Sequence, residues 1–468
     1  MRQKYDMPSN YYFGGGTANS FVTPLAGIIL FIAIILIFGL HRKSVIVPFL
    51  VAGVLLPFDI TIVVFGFHLQ ALRLVLLAGW LRIVLRRDVR VPRMNMLDKA
   101  FLFWAISNAI FFCLLWMAVG AVDNRIGFLW TTLGSYFLVR SLIRDKGDVV
   151  RAIRVLAILM IIIAPVVLVE RFTQHNWFSL VGSPLISTTR DGVVRAEGPF
   201  AHPVIAGTVG GMVLPLFIGL WWQGKKHRML LGLAVLSSIG IVTASRSSTP
   251  IMTTAAGLFA LLLWPLRAKM RSCRWALVSL LAVAQLAMKS PIWFLLSRAG
   301  SIFGGSGYHR ATLIDTFVRH FGEWWLIGTR DNATWGYDMW DVDNAYVAAG
   351  VGGGLITFIA FVAILVYAYK KVGKSRKLTG LSRNNEHLVW AIGACLFANT
   401  IGFIGIVYFD QSVIVWYSLL AMVSAAAVFN SPEKNVPAVK LKTVAAQAAR
   451  NGDFVPSTTS LHVTPYRS

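Results

Sequence analysis

Three arginines stand in short polar segments of an otherwise apolar chain. Arg195 begins the segment RAEGPFAHP, Arg246 lies in TASRSS between two apolar stretches, and Arg310 lies in YHRATLIDTF. Arginine is planar, permanently charged and able to bind phosphate through two parallel hydrogen bonds. A charge at membrane depth is costly and usually faces a cavity or a partner. If the fold brings these arginines to one membrane face, they suit a lipid-linked pyrophosphate, because fixed cations stabilise the charge on a departing pyrophosphate.

Two of these arginines also have a structural interpretation. Arg195 can pair locally with Glu197, two residues further along the chain. Arg310 can be a solvated residue near the start of an amphipathic helix, because apolar residues recur after it at helical spacing. The apolar residues of that predicted helix are Leu313, Phe317, Phe321 and Trp324. Both interpretations stay open at the level of sequence.

A carboxylate and an amide, Asp343 and Asn344, precede a predicted helix that begins at Ala345. Asp and Asn are strong helix N-caps, which is the structural interpretation. A carboxylate that faces several arginines also suits a general base. His309 and His320 are the alternative bases.

The sequence gives little indication of a metal or another cofactor. Asp341 and Asp343 form one Asp-x-Asp pair that could hold a divalent cation against phosphate. The three cysteines are too scattered for a zinc site or a disulfide framework, and no phosphate-binding glycine-rich loop is present. We therefore expect a metal-independent reaction with no cofactor.

The composition predicts the elements that must position these residues. Hydrophobic residues make up 56% of the 468 residues, charged residues only 14%, and the mean hydropathy is +0.67. Soluble domains contain about 25% charged residues, so the composition argues against a soluble, disordered or collagen-like protein. It predicts an all-α polytopic membrane protein. The net charge of +24 is typical of cytoplasmic loops that follow the positive-inside rule rather than of nucleic-acid binding.

Apolar segments of about 20 residues predict 12 or 13 transmembrane helices. They lie at roughly 24–40, 45–66, 69–85, 100–120, 126–143, 152–170, 203–222, 229–245, 249–266, 275–296, 344–369, 387–408 and 412–429. The second is the weakest, because Pro48, Pro57 and Asp59 interrupt it. It is either a full span or a broken, re-entrant piece, and the side of the N-terminus depends on which of the two holds.

Basic clusters in short loops predict the orientation. They are Arg86, Arg87, Arg90 and Arg93; Lys225, Lys226 and Arg228; Arg267, Lys269, Arg271 and Arg274; and Lys370, Lys371, Lys374, Arg376 and Lys377. Counting spans places all four on the cytoplasmic side, so two long loops, about 171–202 and 296–343, lie outside. We divide the chain into a polar segment 1–23, a membrane domain 24–429 and a disordered, basic cytoplasmic tail 430–468.

Three patches together resemble the superfamily of O-antigen ligases and Wzy-type polymerases. The first begins at Arg195 and ends at His202 and Pro203, before a glycine-rich helix. The second is the Ser-Arg-Ser turn around Arg246. The third joins Arg310, the region of Gly328 and Asp343–Asn344–x–Tyr346, followed by Gly350 and Gly352–Gly354. The resemblance covers about residues 195–354.

The resemblance implies a glycosyltransferase that moves a glycan from undecaprenyl pyrophosphate at the outer face of the cytoplasmic membrane of a bacterium. It implies that the pyrophosphate binds to Arg195, Arg246 and Arg310, and that Asp343, His309 and Arg310 act in catalysis. The remaining substrate-binding residues that it implies are His202, Asn344 and Tyr346. Expected partners are the lipid-linked oligosaccharide, membrane lipid, and chain-length or export proteins.

Within this superfamily, we expect a polymerase that makes exopolysaccharide or O-antigen. Ligases usually carry a histidine directly before the asparagine of the last motif, and here that residue is Asp343. A ligase is the first alternative. A flippase for lipid-linked sugar is the second, although such carriers tend to bind near the membrane midplane. A structural partner of such a system, which binds without turnover, is the third.

Overall fold

The computed structural model describes residues 20–57, 60–64, 67–87, 92–190, 192–224, 227–298, 307–377 and 382–429. This part of the chain is mostly helical. Its α-helices are α1 Pro24–Gly39, α2 Ile46–Leu55, α3 Ala71–Arg86, α4 Met96–Trp116, α5 Val119–Leu142, α6 Lys146–Thr173, α7 Pro203–Trp221, α8 Arg228–Ala244, α9 Ser248–Leu262, α10 Met270–Ala287, α11 Gly307–Arg319, α12 Phe321–Trp324, α13 Ala345–Val351, α14 Gly354–Arg376, α15 Arg383–Gly402 and α16 Gln411–Ala425. Short 3-10 helices lie at Arg42–Ser44, Trp177–Val181, Trp264–Lys269, Ile292–Phe294, Asn332–Trp335 and Ala426–Val428.

Several of these helices can cross a membrane, which makes the protein a multi-pass membrane protein. Among the described residues, five helices are long and apolar enough: α4, α6, α7, α14, and α16 with the short helix after it. A sixth span is possible if α9 and the following helix Trp264–Ala287, which meet at a bend of 76°, count as one. The shorter apolar helices α1 and α8 add to the bundle. The larger count of 12 or 13 spans stays a prediction.

The predicted second span is broken. Helix α2 ends at Leu55, and at 10 residues it is too short to cross a bilayer. It is followed by the antiparallel hairpin of β1 Thr61–Val64 and β2 Phe67–Gln70, in which Thr61 pairs with Gln70. The sequence explains the break, because Pro57 cannot donate to a helix and the β-branched run after it favours a strand. The full-span interpretation of residues 45–66 is therefore wrong, and the interrupted one fits.

Helix α7 lies at the centre of the bundle. Of its most apolar 18-residue stretch, 89% is buried, and it packs against α8, α9 and α15. Small residues allow this close packing, as is typical of membrane helices. A Cβ added to Gly219 would overlap Ala391 on α15, and one added to Gly211 would lie 2.5 Å from Thr254 Oγ1 on α9. The central helix thus holds its neighbours at a fixed spacing beneath the outer segments.

Two segments cover one end of the bundle, and we call them the outer segments because the sequence predicts that they lie outside. The first, between α6 and α7, contains the hairpin of β3 Thr189–Arg190 and β4 Val193–Val194. The second contains α11 and α12, so the helical segment predicted from Leu313 onward is confirmed. Its apolar face packs into a small core, although Phe321, expected on that face, is 45% exposed. That core is formed by Leu313, Phe317, Trp324, Trp335, Met339, Val347 and Val351.

Some sequence predictions lie outside the described residues. They include nearly all of the polar segment 1–23 and the whole of the tail 430–468. The individual residues Asp59, Arg90, Lys225 and Lys226 also lie outside the described residues. The interpretations made of them stay predictions.

Replacing Gly219 with alanine should destabilise the protein, because the added Cβ overlaps Ala391 where α7 crosses α15. Overpacking of this kind costs about 1–3 kcal/mol. We expect a lower melting temperature for the purified protein in detergent, measured by intrinsic fluorescence. Gly373→Ala is the control, because its added Cβ has no atom within 4 Å. Equal melting temperatures of the two variants would contradict the predicted close approach.

Candidate functional site

A large cleft lies among the helix ends beneath the outer segments, with a volume of about 2110 Å³. Seven of the residues singled out from sequence line it: Arg195, His202, Arg246, His309, Arg310, Asp341 and Asp343. Lining residues come from the N-terminal ends of α5, α7, α9, α11 and α13 and from the C-terminal ends of α6 and α8. Because consecutive helices from α5 to α9 alternate in which end they contribute, the cleft lies at one end of the bundle. The fold therefore brings the three arginines, which are far apart in sequence, to one cleft.

The cleft carries an excess of positive charge. Its arginines are Arg125, Arg171, Arg190, Arg195, Arg246 and Arg310, and its carboxylates are Asp338, Asp341 and Asp343. Six arginines against three aspartates leave a formal excess of three positive charges. Such a surface is suited to a polyanionic ligand, because an anion bound between the arginines offsets the repulsion between their positive charges.

Arg310 is the most buried of these cations, with only 4% of its surface exposed. Its Nη1 donates to Ser248 Oγ at 3.0 Å and its Nη2 donates to Thr249 Oγ1 at 2.7 Å, both at the start of α9. Its Nε lies 3.6 Å from Asp343 Oδ2. The guanidinium therefore joins α9 and α11 to the segment before α13. The interpretation of Arg310 as a solvated surface residue is wrong.

Asp343 lines the cleft beside Arg310 and His309. Burial raises the pKa of its carboxyl to about 6. The positive charge of Arg310 and the neighbouring His309 lower this pKa, whereas the negative charges of Asp341 and Asp338 raise it. Its Oδ1 is buried and has no hydrogen-bond partner among the described residues. His309 Nε2 lies 3.8 Å from this Oδ1 and 3.4 Å from the backbone oxygen of Asp341. A carboxyl with a pKa near neutrality is suited to accept a proton.

Arg246 presents its guanidinium to the cleft without a protein partner in the described part of the chain. It is exposed and lines the cleft, at the turn between α8 and α9. Its backbone is left-handed, with φ of 46°. Non-glycine residues in this region are strained and are found disproportionately at functional sites. The turn thus directs a free cation into the cleft.

Arg195 is held by a loop that is anchored to the membrane bundle. Its Nε donates to the backbone oxygen of Ser245 at 3.5 Å, next to Arg246. The following residues bind Glu170, near the end of α6: the backbone N–H groups of Glu197 and Gly198 donate to its two carboxylate oxygens at 2.8 and 2.9 Å. The described contacts include no ion pair between Arg195 and Glu197. Glu170, rather than Glu197, is the acid on which this loop depends.

The ring of His202 faces the same cleft and is uncharged. Burial, together with repulsion from Arg195, lowers the pKa of His202 to about 4. Its Nδ1 accepts a hydrogen bond from the backbone N–H of Val204 at 3.2 Å, which caps α7. A neutral ring whose Nδ1 accepts carries its proton on Nε2, so His202 offers a donor to the cleft.

Three predicted residues lie elsewhere. Asn344 is 2% exposed, and its side chain caps α13 by accepting from Tyr346 and Val347 and donating to Ile404. Tyr346 donates its hydroxyl to the backbone oxygen of Thr400, and His320 stacks on Trp335. None of the three lines the cleft. The structural interpretation of Asn344 therefore replaces its predicted contact with substrate, and His320 is not placed to act as the base.

Sequence reasoning missed two arginines of the cleft and the anchor beneath it. Arg125 and Arg171 lie near the ends of α5 and α6. From sequence alone, a basic residue at the end of an apolar segment cannot be told apart from the charges that ordinarily flank membrane helices. Arg190 lies within the predicted outer loop of about 171–202, where a single arginine carries no distinguishing signal. Glu170 had a detectable signal, because a carboxylate inside an apolar helix is rare and usually partnered.

The cleft's two closest acids, Asp341 and Asp343, are the Asp-x-Asp pair of the sequence. Within the described ranges, no group of three or more His, Cys, Asp or Glu residues is arranged to hold a metal ion. The metal-independent reaction stays a prediction. In comparisons with known proteins, no family model and no curated protein sequence matches this chain.

Replacing Glu170 with alanine should release the loop that carries Arg195. Two buried backbone N–H groups and the hydroxyl of Ser187 would lose their acceptor, at a cost of about 1–3 kcal/mol for each unsatisfied group. We expect a lower melting temperature and about tenfold weaker binding of inorganic pyrophosphate, measured by calorimetry. Asp123→Ala, which removes an exposed carboxylate of α5, is the control. Unchanged pyrophosphate binding in Glu170→Ala would contradict the role of the anchor.

Proposed function

We propose that this protein is a polysaccharide polymerase of the bacterial cytoplasmic membrane. It transfers a growing glycan from undecaprenyl pyrophosphate to the sugar of a second lipid-linked repeat unit, at the outer face of that membrane. In this proposal the chain crosses the membrane 12 or 13 times and both long outer segments face the periplasm or exterior. Chain-length and export proteins are its expected partners.

The observation that carries this proposal is the convergence of Arg195, Arg246 and Arg310 with Asp343 in one cleft at one end of a membrane bundle. The arginines come from separate parts of the chain, so the convergence is a property of the fold. A lipid-linked pyrophosphate is an anion that is delivered at the membrane surface, which is where the cleft lies in this proposal. Arginine is the residue best suited to bind it.

The residues of the cleft divide the reaction between them. The hydroxyl of the acceptor sugar forms a bond to the anomeric carbon of the donor, while the bond from that carbon to the pyrophosphate oxygen breaks. Asp343 takes the proton of the hydroxyl on its carboxylate, which is partly exposed to the cleft. The negative charge that develops on the leaving pyrophosphate is stabilised by Arg195 and Arg246, with a hydrogen bond from His202. Fixed cations of this kind lower the barrier without reorganising during the reaction.

The competing functions differ in how the cleft must be reached and in which acceptor it binds. A flippase needs a site that both sides of the membrane reach in turn, whereas this cleft is lined by helix ends that lie together. A ligase would use the same donor chemistry with a different acceptor. We favour the polymerase over the ligase because Asp343 replaces the histidine that the ligases usually carry.

Cells that lack this protein should accumulate single repeat units on the lipid carrier, accessible from outside. We expect wild type to restore long chains, and Arg195→Ala or Arg246→Ala to restore less than about a hundredth of them. The measurement is the size of extracted lipid-linked oligosaccharides. Arg319→Ala is the control, because this outer arginine lies on α11 outside the cleft and pairs with Asp315 at 2.6 Å.

Other outcomes of this experiment identify the alternatives. Long lipid-linked chains that never reach their acceptor would indicate a ligase. Single repeats trapped on the cytoplasmic leaflet would contradict both transferases and indicate a flippase. Full activity of the two arginine variants would contradict the assigned site.

The rate of transfer should depend on pH through Asp343. A general base is active when deprotonated, so a carboxyl with a pKa raised to about 6 loses activity as the pH falls through about 6. We expect an acid limb there in proteoliposomes that contain the purified protein and lipid-linked repeats. Asp343→Asn should reduce the rate by about a hundredfold or more and abolish the limb. Asp331→Asn, an exposed acid of the same outer segment, should keep it, and an unaltered limb in Asp343→Asn would assign the base elsewhere.

A further inference from the structure

The second outer segment carries large apolar side chains in two different environments. Those of Leu313, Phe317 and Trp324 are buried in the small core of this segment. A second set is exposed by 45–60%, and we call it the apolar rim: Val318, Phe321, Trp325 and Leu326. The four residues lie within nine consecutive positions, so they form a patch and are not scattered. Exposed apolar patches mark surfaces that bind a partner or a membrane.

The apolar rim adjoins a helix that can cross the membrane. The backbone N–H of Leu355, in the first turn of α14, donates to the backbone oxygen of Trp325 at 2.8 Å. A Cβ added to Gly354 would lie 2.5 Å from the backbone oxygen of Leu326. Helix α14 is long and apolar enough to span a bilayer, and its Ile356 is 46% exposed. The rim therefore continues the apolar surface that α14 presents to lipid.

The charged side chains among the rim residues already have partners within the protein. Arg319 Nε donates to Asp315 Oδ2 at 2.6 Å. Glu323 Oε2 accepts from Trp335 Nε1 at 2.8 Å. An arginine can also reach lipid headgroups while its stem stays among apolar groups, and aromatic residues are enriched where membrane meets water. This stretch is therefore suited to the boundary between acyl chains and headgroups.

The first outer segment has exposed apolar side chains as well. Its short helix Trp177–Val181 packs against the apolar helix α1, and Trp177 and Leu180 are 54% and 60% exposed. Phe172, near the end of the spanning helix α6, is 86% exposed and lines the cleft. Both segments over the cleft therefore combine charged and apolar surface, which suits a position at the membrane surface.

We infer that the apolar rim inserts into the lipid leaflet at the cleft end of the bundle, so that residues 318–326 lie within the membrane surface. The bilayer covers this face, because the face continues the surface of a spanning helix. The loop of about 296–343, predicted to lie outside, is then partly embedded. Helix α11 begins at the cleft, with Arg310, and ends at the rim, with Val318, so an inserted rim holds the cleft close to the headgroups. This inference goes beyond the proposed function and requires only that α14 crosses the membrane.

The test is photo-cross-linking of the full-length protein in nanodiscs of phosphatidylethanolamine and phosphatidylglycerol. The photoreactive residue p-benzoylphenylalanine replaces Phe321, Trp325 or Ile359 in separate variants. Ile359 is 56% exposed on α14 and reports the contact of that helix with lipid. After irradiation, we expect the two rim variants to gain the mass of one lipid, in a yield close to that of the Ile359 variant. Tyr337 is the matched control: it is an aromatic residue of the same outer segment, 78% exposed and next to Asp338 of the cleft, and its variant should gain none.

Two results would overturn the inference. One is a yield of lipid adducts at the rim no greater than at Tyr337, whose variant carries the same apolar group and so reveals whether that group draws any exposed segment into the membrane. The other is a rim that cross-links to a second protein chain in place of lipid, which would mean that another copy covers this face. The assay requires no donor lipid and no turnover, so its failure leaves the proposed function standing. Conversely, a lipid-embedded rim in a protein whose loss leaves lipid-linked chains unchanged would overturn the proposed function alone.

Discussion

The contact between Arg310 and Asp343 is the interaction on which the rest of the cleft depends. Both groups lie where water is largely excluded, and a buried charge that loses its partner costs about 3–5 kcal/mol. Arg310 also donates to Ser248 and Thr249 at the start of α9, directly after the turn that carries Arg246. One guanidinium therefore fixes the Asp343 carboxylate, the helix α11 and the turn that carries Arg246 relative to one another.

The position of Arg195 depends on a second charge, which lies inside the bundle. Glu170 accepts from consecutive backbone N–H groups in the loop after Arg195, so the anchor of a surface loop is a side chain of a membrane helix. Rigid helices position catalytic groups more accurately than loops do. Here the loop is held through an acid on such a helix, and Gly198 allows the approach: its φ is +60°, and an added Cβ would lie 2.7 Å from Val167 Cγ2.

Much of the site could be predicted because charged residues in an apolar chain are conspicuous. Arg195, Arg246 and Asp343 were found in this way, and the alternation of helix direction places them at one end of the bundle. Asn344 could not be assigned from its type, because adjacent side chains in extended backbone point to opposite sides. Asp343 therefore faces the cleft while Asn344 turns inward and caps α13. The hairpin after α2 was hidden by the same β-branched residues that raise hydropathy.

A histidine in place of Asp343 would change the charge of the cleft more than its proton chemistry. An ordinary histidine has a pKa of about 6.5, and burial brings the pKa of Asp343 to about 6, so both side chains can accept a proton near neutral pH. The deprotonated forms differ, because histidine is then neutral and aspartate is negative. An aspartate therefore adds a negative charge beside Asp338 and Asp341 and is compensated by Arg310 at 3.6 Å.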